Sequence, residues 1–140
     1  MEYVLSGNTA VIRLDRGDEI TASLLDFAKK ENVRGAYFTA IGASNDLEIG
    51  VFDPISKEYS AKRVEEDCEI ASLIGNISNM NGKEYVHAHI VVTNKAFETI
   101  GGHLLKGVIS LTCEIFVTIV EFEINRKRNE KEGINTFAFD

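Results

Sequence analysis

The chain has three histidines, His87, His89 and His103, and no others. His87 and His89 flank Ala88 inside the apolar run Val86-His87-Ala88-His89-Ile90, which reads as a β-strand. Residues i and i+2 of a strand share a face, so both imidazoles project from one side of a rigid element. His103 closes the triplet Gly101-Gly102-His103. A glycine-rich turn there would let a third imidazole swing toward the pair. Three convergent imidazoles with an open position describe a metal site, Zn²⁺ first, although Ni, Co, Fe or Cu also suit such ligands. The plainer alternative is two histidines on a solvated strand face and a third in an ordinary turn.

Other residues could assist. Glu114 interrupts the apolar run Leu111-Thr112-Cys113-Glu114-Ile115, and a carboxylate there asks for a partner. It is the candidate catalytic residue, as a general base or as the group that orients a ligating histidine. A strand-edge Glu in solvent is the competing reading. Arg13, in Val11-Ile12-Arg13-Leu14, either faces outward or pairs with a buried acid such as Glu114. Gly75-Asn76 ends an apolar strand as a bulge or turn, or contributes to a polar ring around a site. Cys68 and Cys113 stand far apart beside apolar residues and read as buried core thiols. No phosphate-binding glycine loop, dinucleotide fingerprint, nucleophile elbow or Cys-x-x-Cys is present.

The elements that must hold these residues follow from periodicity. Tyr3 to Leu14 is β-prone and broken by a turn at Gly7-Asn8. Ile20, Leu24, Phe27 and Ala28 recur at helical spacing, with Asp18 as the expected cap and Asn32 as the expected end. Strand signals then run over 36–41, 47–52, 58–64, 69–77, 84–92, 108–110 and 111–124. Ala96 to Leu105 is a candidate second helix, interrupted by its glycines. The expected fold is α+β: a mostly antiparallel sheet of about six or seven strands with one main helix packed on it. One domain is expected over 1–125, with a charged C-terminal extension at 126–140. The strand at 111–124 is apolar on both faces, with Ile115, Val117 and Ile119 on one and Phe116, Val120 and Phe122 on the other. A half-solvated strand should alternate, so something covers the second face, a second protomer or another layer.

Composition narrows the partners. With 15 basic and 22 acidic residues the net charge is −7. An acidic chain needs a concentrated basic patch to hold nucleic acid. The one cluster, Arg126-Lys127-Arg128, is diluted by Glu130 and Glu132 and reads better as a solvated segment. No apolar run is long enough to span a bilayer, so no membrane is expected. No signal peptide is visible, which makes the cytoplasm the expected location. Ile134 to Phe139 either docks on a neighbouring protomer's sheet or trails.

The order of motifs resembles the plants-and-prokaryotes-conserved (PPC) domain family. It runs from Arg16-Gly17-Asp18-Glu19 through Ala40-Ile41-Gly42-Ala43 and Leu73-Ile74-Gly75-Asn76 to His87-Ala88-His89, Gly101-Gly102-His103-Leu104 and Cys113-Glu114-Ile115. The resemblance implies a mostly antiparallel α/β domain assembled as a homotrimer. Plant proteins of this family carry an upstream AT-hook centred on Arg-Gly-Arg-Pro, and none is present here. In stand-alone prokaryotic members the histidines look like a metal site, a role carried here onto His87, His89 and His103. Three functions remain in play: a homotrimeric binding or regulatory module with a protein or small-ligand partner, a metal-dependent hydrolase or lyase, and a transcription-associated DNA binder.

Overall fold

The computed structural model describes residues 1–139. Strand β1 (Glu2–Ser6) and β2 (Thr9–Asp15) form a hairpin around Gly7, whose φ of 58° suits a residue without Cβ. Alternate residues of β2, Ala10, Ile12 and Leu14, are fully buried. Helix α1 (Ile20–Lys30) then buries the expected stripe of Ile20, Leu24, Phe27 and Ala28. Its cap differs from expectation. Glu19 accepts the N–H of Ala22 through one carboxylate oxygen and that of Gly107 through the other, fixing the helix start to the sheet. Asp18 instead accepts the N–H of Asp15 and pairs with the N-terminal ammonium at 2.8 Å. Asn32 follows the helix in the left-handed region, φ 52°, as its helix-ending role requires.

The remaining strands are β3 (Ala36–Asp53), β4 (Glu58–Val64), β5 (Cys68–Met80), β6 (Lys83–Asn94), β7 (Thr99–Ile119), β8 (Asn125–Asn129) and β9 (Ile134–Ala138). One helix on a largely antiparallel sheet is the expected α+β class, although nine strands stand where about six or seven were expected. Two pairs of predicted strands are fused. Bulges at Gly42/Ser44, Ser44/Asp46 and Glu48/Ile49 carry β3 across what read as a break. The candidate helix at 96–105 does not form, because residues from Thr99 onward belong to β7. Gly101-Gly102 is not a turn but the middle of that strand. A Cβ on Gly101 would lie 2.8 Å from the Ile90 carbonyl oxygen, and one on Gly102 2.7 Å from that of Gly50. These glycines let β7 approach its two neighbours closely.

Strand β7 pairs with β6 at Thr99–His103 and with β3 from His103 onward, while β5 pairs with both β3 and β6. The four strands β3, β5, β6 and β7 therefore close into a ring, and β6 has neighbours on both edges. Leu73, Ile77, Ala88, Ile90, Val92, Ile115 and Val117 fill the core on one side of the sheet. The other side stays apolar and open in the single chain: Tyr37, Ile41, Ile74, Leu111 and Phe116 are all more than half exposed. The second face of the last long strand is thus uncovered by this chain's own helix.

The C-terminal extension is not a solvated tail. Strands β8 and β9 form a hairpin that joins β5 through a single parallel bridge, Asn79 to Asn125. It docks on its own chain's sheet.

Candidate metal centre

Strand pairing assembles the cluster. His89 lies directly opposite His103 across the β6–β7 ladder, and His87 is two residues back on the same face of β6. Ala88, Ile90 and Val92 point into the core, as alternation predicts, and hold the strand in place. The three rings meet with centroids 5.0 Å (His87–His103), 5.3 Å (His87–His89) and 5.5 Å (His89–His103) apart. One potential ligand nitrogen from each lies within 4.8 Å of the other two. Three nitrogens on a tetrahedral ion with bonds of about 2.1 Å would be about 3.4 Å apart, so small χ rotations close the set. The donor set fits a borderline divalent ion such as Zn²⁺. Burial, with the nearby Arg126 charge, pushes the His87 imidazole down to about 4. Burial and His89 also lower His103. Both rings are neutral near pH 7, the form a metal requires.

The cluster lines a cavity of about 520 Å³, a volume typical of small-molecule sites. Its walls come from Val51 and Phe52 of β3, Tyr59 of β4, Tyr85 of β6, Leu105 of β7 and Ile134 of β9. Tyr59 packs on His103 with ring centroids 5.4 Å apart and on Phe52 at 5.2 Å. His89 is the most exposed of the three histidines, which leaves the cluster open on one side.

Arg126 was not singled out for this site by its sequence context, where it is one residue of a diluted basic run. It is only 8% exposed. Its Nε donates to Ser78 Oγ at 2.8 Å, Nη1 to the Asn135 carbonyl at 3.0 Å and Nη2 to Asn76 Oδ1 at 2.9 Å. Nη2 also lies 3.3 Å from Nδ1 of His87. The guanidinium sits 4.5 Å from the Phe137 ring centroid and 5.0 Å from that of Tyr85. The only sequence signal was the apolar stretch around Phe137, which needed something to pack on. Asn76, read as a turn or part of a polar ring, lies within a continuous β5 and anchors this arginine.

Glu114 does not join the cluster. It lies far along β7 from His103, in a separate groove with Ile41, Glu69 and Leu111, and is exposed. Arg13 is its register neighbour across β2 and β7 but bonds to Glu2 at 2.9 Å and Asp15 at 3.0 Å, facing outward. No Asp or Glu lines the histidine cavity among the described residues. Cys68 and Cys113 are free and buried, and burial pushes the Cys113 thiol up to about 12.

Fold and cluster together define an α+β sheet domain with a three-histidine pocket. The chain belongs to the Plants and Prokaryotes Conserved (PCC) domain family, whose pattern it matches over residues 1–121. It is similar throughout to a protein described as a "putative dna binding protein" from Bacteroides thetaiotaomicron (32% identity, TM-score 0.95, 99% of this chain and 96% of that one). It is similar also to a metal-containing protein from Archaeoglobus fulgidus (31% identity, TM-score 0.88, 99% and 97%). A plant- and prokaryote-conserved (PPC) protein from Pyrococcus horikoshii matches at 32% identity and TM-score 0.88, covering 99% and 95%. Among curated proteins none matches significantly. Among the described residues no helix is long and apolar enough to cross a membrane.

Proposed function

We propose that this protein is a homotrimeric module that holds a divalent metal, Zn²⁺ by preference, on His87, His89 and His103 and presents it to a small ligand. The observation that carries this reading is the convergence of three imidazoles, from one hairpin of one chain, in a cavity of small-molecule size. A relative described as metal-containing supports it. Such an ion, when bound with an open position, acts as a Lewis acid toward a ligand oxygen. The chain's own residues do the rest. Strand pairing fixes the rings, Tyr59 backs His103, and Val51, Phe52 and Leu105 give the cavity apolar walls. A binding role is favoured over hydrolysis or elimination because, among the described residues, the cavity has no carboxylate to serve as general base, with Glu114 in another groove.

The exposed apolar face of the sheet supports self-association. Exposed apolar surface of this kind, centred on Tyr37, Ile41, Ile74 and Phe116, marks an interface. His87 and His89 border it beside Tyr37 and Ile74, which puts the pocket near a subunit boundary in such an assembly. The DNA-binding reading carried by the names of relatives draws less support here. The basic cluster is broken up, with Arg126 buried and Arg128 at the cavity.

The test is elemental analysis of untagged wild-type protein and of His87→Ala/His89→Ala, with light-scattering mass in the same run. Near-stoichiometric metal in the wild type and loss in the variant are expected. No metal above background in the wild type refutes the reading.

A further inference from the structure

Arg126 raises a question the metal alone does not answer. A guanidinium nine-tenths buried normally has a carboxylate partner, since a buried charge without one is costly. Among the described residues Arg126 has none within ion-pairing distance. In a chain of net charge −7, the cavity it lines holds, among the described residues, two arginines, Arg126 and Arg128, three histidines and no acid. The concavity is cationic in an acidic protein.

Arg126 also has hydrogen-bonding capacity to spare. A guanidinium carries five N–H donors. Four are engaged: one at Nε, one at Nη1 and two at Nη2, the last toward Nδ1 of His87. A neutral imidazole has one lone pair. If His87 binds a metal through either nitrogen, that lone pair is taken, and His87 can no longer accept from Arg126. Metal loading therefore leaves one N–H on Nη1 and one on Nη2 without an acceptor, two donors on the pair of nitrogens a bidentate oxyanion needs.

We infer that the ligand of this pocket is a small molecule bearing an oxyanion, a carboxylate or a phosphate, which Arg126 receives beside the metal while Arg128 adds charge at the rim. The inference rests on the metal reading for the acceptor that His87 gives up, but the missing counter-ion stands without it. The cavity of about 520 Å³, walled by Val51, Phe52 and Leu105, limits the ligand to a compact molecule with an apolar part. Asn76 and Ser78 are positioning residues, which hold the fork in place.

The experiment is calorimetric titration of the purified protein, with its metal content measured, using lactate, its neutral amide lactamide, and inorganic phosphate. Wild type is expected to bind lactate or phosphate and not lactamide. Whichever anion binds more tightly identifies the class. Arg126→Gln is expected to weaken that binding by about 10- to 100-fold with metal content unchanged. Unchanged anion affinity in Arg126→Gln overturns the inference. So does lactamide binding as tightly as lactate, or no anion binding below about 10 mM. The amide comparison is made on wild type alone, so it decides the matter even if Arg126→Gln fails to fold. Wild type without metal that still binds anion through Arg126 would refute the metal reading and leave the anion site standing.

Discussion

Gly75→Ala should weaken the fold and the histidine cluster together. Gly75 pairs with Ala88 across β5 and β6. A methyl there would collide with the His87 carbonyl oxygen, lie 2.5 Å from Cζ of Phe38 and 3.0 Å from Cα of Ala88. Phe38 is 1% exposed and cannot swing away, and the other two atoms are backbone. Overpacking of this kind costs about 1–3 kcal/mol. Restricting the unfolded chain offsets it by up to about 1 kcal/mol. The net loss is about 1–2 kcal/mol. At about 2.1 cal/mol/K per residue, this chain's unfolding entropy near 60 °C is about 0.3 kcal/mol/K, so Tm should fall by about 3–7 °C. Because the strain is relieved by moving His87, metal affinity should fall by about tenfold as well. The assay is a thermal melt at fixed protein concentration, with and without added Zn²⁺, beside a competition titration with a chelator. A variant that melts at or above wild type and keeps its metal affinity would show that Gly75 does not set the spacing of β5 and β6.

Other perturbations separate the parts of the molecule. Phe27→Ala removes a ring that is fully buried and edge-on to Tyr3 at 5.1 Å, and denaturant titration should record a loss of about 3–5 kcal/mol. Phe116→Glu places charge in the middle of the open apolar face, and light scattering should find a smaller particle than wild type with the fold retained by circular dichroism. Glu114→Gln should leave metal content and anion binding unchanged, since it lies outside the cavity; a loss of either would reinstate it as a site residue. Lys106 first, then Arg63, holds the Asp46 carboxyl below its ordinary value, so this pair's stabilisation is present above the usual carboxylate range and fades as pH falls through the lowered value. Acid unfolding of Asp46→Asn should lack that part of the slope.

The sequence exposed much of this. Strict alternation around Ala88, Ile90 and Val92 was enough to place His87 and His89 on one face, and a 3.6-residue stripe was enough for α1. Arrival of His103 was anticipated, but by the wrong route. Gly101-Gly102 looks like a turn because glycine is common in turns, whereas here its missing side chains allow three strands to crowd together. That closeness depends on β3, some fifty residues away, and no local pattern encodes it. The fusion of β3 was hidden for a similar reason, since a bulge resets the alternation that periodicity relies on. Arg126 was illegible because its burial depends on Ser78, Asn76 and Phe137, contributed by separate segments, while its immediate neighbours Lys127 and Arg128 are those of a solvent-facing run. Glu114 misled because an acid in an apolar strand reads as purposeful, and an unpartnered sheet face gives the same pattern.

The pocket has a division of labour along the chain. All three imidazoles come from one hairpin, β6 and β7, inside the stretch that defines the family, which ends at residue 121. The arginine that sets the cavity's charge comes afterward, on a hairpin joined to the sheet by a single bridge between paired strands. That hairpin meets the rest of the pocket through Arg126, at Ser78, Asn76 and His87. The two parts of the pocket are thus separate pieces of the fold, so a substitution in the hairpin can change the cavity's charge while the β6–β7 ladder that pairs His89 with His103 stays as it is.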